Sequence, residues 1–161
     1  RGTLELMVRA EMVDVRALAA RLFTVYGPGE PPGRLLPSLL EAAEKREALD
    51  LTSGLQKRDF TYVEDVAEGL LRLGLARVEE PQIVNLATGR LSTVRTFAMT
   101  AAAVLGVPID RLRFGALPTG ADEMDHGEVT VARLVALTGW RPQTIASEGV
   151  ARTRDFERRK L

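Results

Sequence analysis

The sequence predicts an α/β fold on three observations. Short apolar runs of strand length, at residues 15–23 and at Gln82–Leu86, alternate with longer stretches that carry a helical stripe, Val63–Leu75 and residues 92–105. Glycine- and proline-rich segments separate the two kinds of stretch, where turns are needed. Strands that alternate with helices bury their apolar faces as stacked layers, which an all-helical bundle would not require.

The elements follow in order. Leu4, Leu6, Met7, Val8 and Met12 form an apolar stripe opposite Glu5, Arg9 and Glu11, which predicts a helix. Residues 15–23 are short and mostly apolar, the pattern of a parallel strand buried on both faces. Tyr26-Gly27-Pro28-Gly29-Glu30-Pro31-Pro32-Gly33 must be a loop. A helix is expected over 37–45, with Pro37 acceptable in its first turn, and a short strand over 49–52 before a turn at Ser53-Gly54. Residues 63–75 read as an amphipathic helix with Val66, Leu70, Leu71 and Leu73 on its apolar face, and Glu64 and Asp65 at its N-terminus suit the helix dipole. Gln82–Leu86 is a strand closed by Ala87-Thr88-Gly89. Ser92 is expected to cap a helix that Gly106 ends, and two more helices are expected over 131–137 and 147–158.

Composition narrows the function. With 161 residues, 45% of them hydrophobic, the chain can bury a core, and its 22 basic and 22 acidic side chains cancel. Nothing here suggests a nucleic-acid face, because the arginines of the last stretch alternate with Asp155 and Glu157. No apolar run approaches the roughly 20 residues of a membrane span. The absence of cysteine removes disulfides, thiol nucleophiles and thiolate metal sites, and fits a cytoplasmic enzyme. One histidine, His126, cannot build a metal site and is expected to be solvated in a loop; Trp140 is expected to anchor the last helices, and Tyr62 to pack in a sheet with a bonded hydroxyl.

Gly27, Gly29 and Gly33 do not make a dinucleotide fingerprint, since their spacing is one residue off and Pro28, Pro31 and Pro32 forbid an immediate helix start. A rigid loop at the carboxyl end of a strand remains, and α/β sheets bind ligands at such ends. In the segment 54–66, Arg58 presents a planar fork suited to phosphate or carboxylate. Two readings of it stand: it grips an anionic ligand, or it pairs with Asp59 or Asp65 and fixes a turn.

Gly54-x-Gln56-x-Arg58-Asp59-Phe60-x-Tyr62-Val63-x-Asp65-Val66 resembles the G-x-Q-x-R-D-F-x-Y-V-x-D-V signature of the extended short-chain dehydrogenase/reductases, NAD(P)-dependent nucleotide-sugar epimerases and dehydratases. Arg21-Leu22-Phe23-Thr24-Val25-Tyr26-Gly27-Pro28-Gly29, Asn85-Leu86-Ala87-Thr88-Gly89 and Gly139-Trp140-Arg141-Pro142 resemble three further motifs of that family, in its order. The resemblance implies that residues 1–161 are the C-terminal region of such an enzyme: the end of a Rossmann-like parallel sheet interleaved with a small α/β substrate-binding lobe. The family's Y-x-x-x-K pair and its glycine fingerprint are not among these residues. The resemblance places the catalytic tyrosine and lysine upstream of Arg1, so no catalytic residue is expected within the 161. The N-terminal, NAD- or NADP-binding half is likewise expected upstream, and the chain alone is expected to be inactive. A nucleoside-diphosphate sugar as ligand and a homodimer are further implications.

Carried over by position, Arg58 implies a contact to diphosphate or ribose, Thr24 a contact to the diphosphate, Leu35, Leu36 and Pro37 a stretch beside the nucleobase, and Glu123 a contact to ribose hydroxyls. Gly120 stands where the family has a second diphosphate arginine, a role Arg111 or Arg113 could take, and Thr130 where an Asp is common. Two other readings stay open: a relative that senses a dinucleotide or binds a partner without catalysis, and an inactive truncated product.

Overall fold

The computed structural model describes residues 5, 8, 12, 17–79, 82–120 and 125–159. Glu5, Val8 and Met12 are helical; the rest of the expected first stripe, and Arg1 before it, lie outside the described residues. Then come β1 (Leu18–Leu22), β2 (Thr24–Tyr26), α1 (Leu35–Lys45), β3 (Leu49–Leu51), β4 (Lys57–Tyr62), α2 (Val63–Leu75), β5 (Gln82–Leu86), β6 (Leu91–Thr93), α3 (Val94–Leu105), a single 3-10 turn (Ile109–Arg111), β7 (Leu112–Phe114), α4 (Ala132–Thr138) and α5 (Ala146–Arg158).

Parallel pairing dominates, as the alternation of elements requires. β1 runs parallel to β5 from Leu18 opposite Gln82 to Leu22 opposite Leu86. β2 runs parallel to β4 with Thr24 opposite Phe60, and β3 runs parallel to β7. The exception is β6, antiparallel to β4 with Ser92 opposite Arg58.

Two apolar cores hold these layers together. One gathers Tyr26, Leu36, Leu39, Tyr62, Phe97 and Val150, so that α1, α3 and α5 pack around β2 and β4. Phe60 stacks on Phe97 with centroids 4.1 Å apart, and Tyr26 meets the same ring edge-on at 4.9 Å. The other core joins Val66 and Leu73 of α2 to Val84, Leu86 and Leu134, with Trp140 packed against them. Arg72 lies over the Trp140 ring, 5.6 Å from its centroid, so Trp140 ties the segment before α5 to α2 as its size suggests.

Several expectations need correction. The residues before α2 form a strand, β4, not a turn. β1 is half-buried to exposed instead of buried on both faces, because its only strand neighbour among the described residues is β5; Leu22 is 44% exposed. On α2 the buried positions are Val66, Gly69 and Leu73, while Leu70 and Leu71 face out. A Cβ at Gly69 would run into Leu86 and come within 3.0 Å of Trp140, so the helix lies directly on β5 at its glycine. The stripe of leucines is therefore rotated away from the contact. The cap of α3 is Thr93, whose hydroxyl accepts from the Thr96 amide at 3.0 Å. Ser92 cannot serve, since it is still paired across to Arg58 in β6. β7 was not expected at all.

Candidate functional site

The signature stretch is mostly scaffold. Gly54 adopts φ +67, and its carbonyl accepts from the Arg95 amide at 2.8 Å; a side chain there would meet the Arg95 backbone at 3.0 Å. The Gln56 carbonyl accepts from Val94. Asp65 accepts from the Gln143 and Thr144 amides at 3.0 and 2.8 Å, which fixes the segment after Trp140 to the start of α2. Tyr62 is buried, with its hydroxyl against Glu64.

Asp59 is the densest of these contacts. Fully buried, it accepts from the Thr88 amide at 2.9 Å and from Thr61 Oγ1 at 3.1 Å on one oxygen. Its other oxygen takes the Gly89 amide at 2.8 Å, the Arg90 amide at 3.1 Å and Thr88 Oγ1 at 3.0 Å. Two motifs distant in the chain thus meet, because a buried carboxylate requires several donors and the turn after β5 has backbone amides to give.

Arg58 is different. It stands next to Asp59 on β4 but, by strand alternation, faces the other side. Its Nη1 is shielded from solvent and has no hydrogen-bond partner. Neither Asp59 nor Asp65 pairs with it, so the turn-fixing reading of Arg58 is not what the structure contains. A shielded guanidinium nitrogen without an acceptor is costly unless a ligand supplies one.

Arg58 lines a cleft of about 640 Å³. Thr24, Leu35, Leu36 and Arg58 all line it, from β2, α1 and β4. Leu36 is 1% exposed and forms its floor, while Leu35 is half-buried at its wall. Glu123, the fifth expected contact, lies outside the described residues. So does Arg1, the residue before which the resemblance puts the tyrosine and lysine. Arg111 and Arg113 do not line the cleft, and Arg113 pairs with Asp50. Gly120 is exposed and also off the cleft; the Thr130 carbonyl accepts from Asn85 Nδ2 at 3.0 Å.

Two residues of the cleft were not expected. His126 lies in a loop as expected, but it is half-buried there and not fully solvated. Its Nδ1 accepts from the Asp59 amide at 3.2 Å, its own amide donates to the Lys57 carbonyl at 2.9 Å, and Phe23 meets its ring edge-on at 5.3 Å. Because Nδ1 accepts, the neutral ring carries its proton on Nε2. Burial, and then the neighbouring Arg58 charge, push its pKa below the usual histidine value. Glu30 is the other. Its side chain is 11% exposed; Oε1 takes Arg34 Nε at 3.4 Å, and Oε2 is shielded without a partner. Burial raises its pKa, and Arg34 and the Gly27 backbone oppose that rise. Neither residue announces itself in sequence: one sits in a segment without periodicity, the other in a loop read only for its glycines and prolines.

The cleft holds its own tyrosine, Tyr26, but not one suited to proton transfer. Its hydroxyl packs against Gly149 of α5, and burial, reinforced by Asp65, raises its pKa above the ordinary tyrosine value. A phenol acting as acid or base near neutrality needs the opposite shift. The glycine loop does not fit a dinucleotide either. At Gly27 a Cβ would lie 2.7 Å from Val63 Cγ1, so the space beside it is filled by the protein itself, and α1 starts only at Leu35. The described residues therefore do not form a nicotinamide-dinucleotide cradle of this type. What they do form is a cleft whose lining includes Arg58, with Nη1 shielded and without an acceptor, and Glu30, with Oε1 on Arg34 and Oε2 shielded without a donor.

A model of the NAD dependent epimerase/dehydratase family matches residues 3–87. A probable UDP-glucuronate 4-epimerase of Rhizobium meliloti (strain 1021) is 29% identical over 93% of this chain and 49% of its own length. The fold matches that of the epimerase Mth375 of Methanothermobacter thermautotrophicus, with a TM-score of 0.86 at 25% identity over 99% of this chain and 48% of the other. It also matches MoeE5, solved with UDP-glucuronic acid and NAD, with a TM-score of 0.80 at 27% identity over 92% of this chain and 49% of that one. The chain thus spans about half the length of these relatives.

Proposed function

The chain belongs to the NAD dependent epimerase/dehydratase family, and from that premise we propose that it carries the nucleotide-sugar-gripping part of an epimerase or dehydratase. The observation that supports this best is that Arg58 lines a cleft of about 640 Å³ while its shielded Nη1 has no partner in the protein. A diphosphate supplies the acceptor oxygens that a guanidinium fork takes in pairs. Thr24 adds a hydroxyl on the adjacent strand β2, and the backbone at Leu35 and Leu36 would lie beside a base. His126, with its Nε2 proton, is a further donor at the same surface. NAD or NADP, as the reaction's hydride carrier, would be held by residues other than the ones described, and the tyrosine and lysine of proton transfer would likewise come from before Arg1.

The reading is tested by incubating the full protein with UDP-, GDP-, CDP- and dTDP-sugars and NAD(P), and following the sugars by NMR. Conversion of at least one is expected, and conversion of none would leave only a binding protein. The 161 residues alone should convert none. Turnover by them at an ordinary enzyme rate, roughly 1–10³ s⁻¹, would overturn the assignment.

The proposal extends to a cytoplasmic homodimer. Val8 and Met12 are helical and share one helix face, with exposures of 56% and 79%, which suits a helix that pairs with a second copy. Sedimentation of the full protein as a dimer at micromolar concentration is expected; a monomer there would contradict it.

A further inference from the structure

We propose that Glu30 makes this cleft selective for a neutral sugar and turns away a uronic acid. The inference rests on the nucleotide-sugar reading above and adds which sugars the site accepts.

Two of the residues that line the cleft carry complementary atoms without a partner. Arg58 Nη1 needs an acceptor and Glu30 Oε2 needs a donor, and both are shielded from solvent. A nucleoside-diphosphate sugar has three parts with different chemistry. The diphosphate is an anion and answers Arg58. The base would lie beside the backbone at Leu35 and Leu36. The sugar is rich in hydroxyls, and a hydroxyl is the donor that a lone carboxylate oxygen accepts from. Glu30 sits on the loop beyond the carboxyl end of β2, the strand that carries Thr24, where a ligand of an α/β sheet is reached.

The same oxygen penalises a carboxylate on the sugar. Arg34 neutralises Glu30 only in part: its one contact, to Oε1, is long at 3.4 Å, and the arginine side chain is 57% exposed, where water weakens the pair. Oε2, on a residue that lines the cleft, is shielded and has no cation of its own. A uronate carboxylate placed there would meet like charge without solvent between, the arrangement by which binding sites reject a ligand.

The test is calorimetric titration of the full protein and its Glu30→Gln variant with UDP, UDP-glucose and UDP-glucuronate. Gln keeps the shape and removes the charge. The unmodified protein should bind UDP-glucose at least about tenfold more tightly than UDP-glucuronate, and the variant should bring the two within about threefold, mainly by gaining UDP-glucuronate affinity. UDP should bind both proteins alike. Equal binding of the two sugars by the unmodified protein, or an unchanged ratio in the variant, overturns the proposal. So does a variant that loses UDP and UDP-glucose affinity together, because Glu30 would then be reading ribose or base. If UDP binds neither protein, the nucleotide-sugar reading itself falls, and this inference with it; the UDP arm separates the two failures.

Discussion

Replacing Asp59 with alanine lowers the melting temperature of the protein by about 10 °C or more, given that about 1 kcal/mol moves a domain of this size by roughly 2–4 °C. The side chain is fully buried and accepts five hydrogen bonds, three of them from the consecutive amides of Thr88, Gly89 and Arg90. A hydrogen bond to a charged group contributes roughly 1.5–3 kcal/mol, and losing the acceptor leaves the Thr88 and Gly89 amides without their partner, while the Arg90 amide keeps Thr88 Oγ1 at 3.0 Å. The five do not add, since they share one carboxylate, and about 4 kcal/mol for the set is the expected scale. Such a loss is a large part of an ordinary domain's stability. Asp59→Asn retains one acceptor oxygen but turns an amide NH₂ toward some of the same donors, so it should recover only part of the loss. Calorimetric melting of the two variants decides the matter. A shift under about 3 °C for alanine would mean that the turn after β5 is held by something other than Asp59.

The sequence alone does not reveal that role of Asp59, and the reason is physical. Periodicity located the helices well: residues 63–75 have the bounds of α2, and Gly106 ends α3 in the left-handed conformation expected of a C-cap. It failed on β4, because Lys57-Arg58-Asp59 looks like a charged turn. A strand with Asp59 and Thr61 fully buried is stable only because residues 88–90 bring donors to it, and that partnership is invisible along the chain. Leu70 and Leu71 misled for a related reason. Their hydrophobicity pointed inward, yet the contact with β5 is made where α2 has no side chain, at Gly69.

The site was legible by a different route. Thr24, Leu35, Leu36 and Arg58 are spread over three elements, and only the resemblance to a family put them on one list; the cleft brings all four together. Their roles toward a ligand remain the proposal. Glu30 and His126 were missed because their significance lies in neighbours: an unpartnered oxygen in one case, a bond from the Asp59 amide in the other. A single acidic or imidazole side chain in a loop gives no such signal on its own.

The functional reading stands or falls with Arg58 and its grip on the diphosphate of a nucleotide-sugar. Since its Nη1 has no partner in the protein, removing the side chain breaks no bond that the fold depends on there. Arg58→Ala in the full protein should therefore melt within a few degrees of the unmodified protein. Its affinity for UDP-sugar should fall about ten- to a hundredfold, the equivalent of one charge-assisted contact of roughly 1.5–3 kcal/mol. NAD(P) affinity should hardly change. Arg58→Lys should restore only part of the loss, because an ammonium lacks the planar fork. The most direct measurement is melting and UDP-sugar binding on the same Arg58→Ala preparation. The expected result is unchanged melting with weakened binding. Lowered melting with intact binding by the folded protein would contradict it, and would make Arg58 a structural residue.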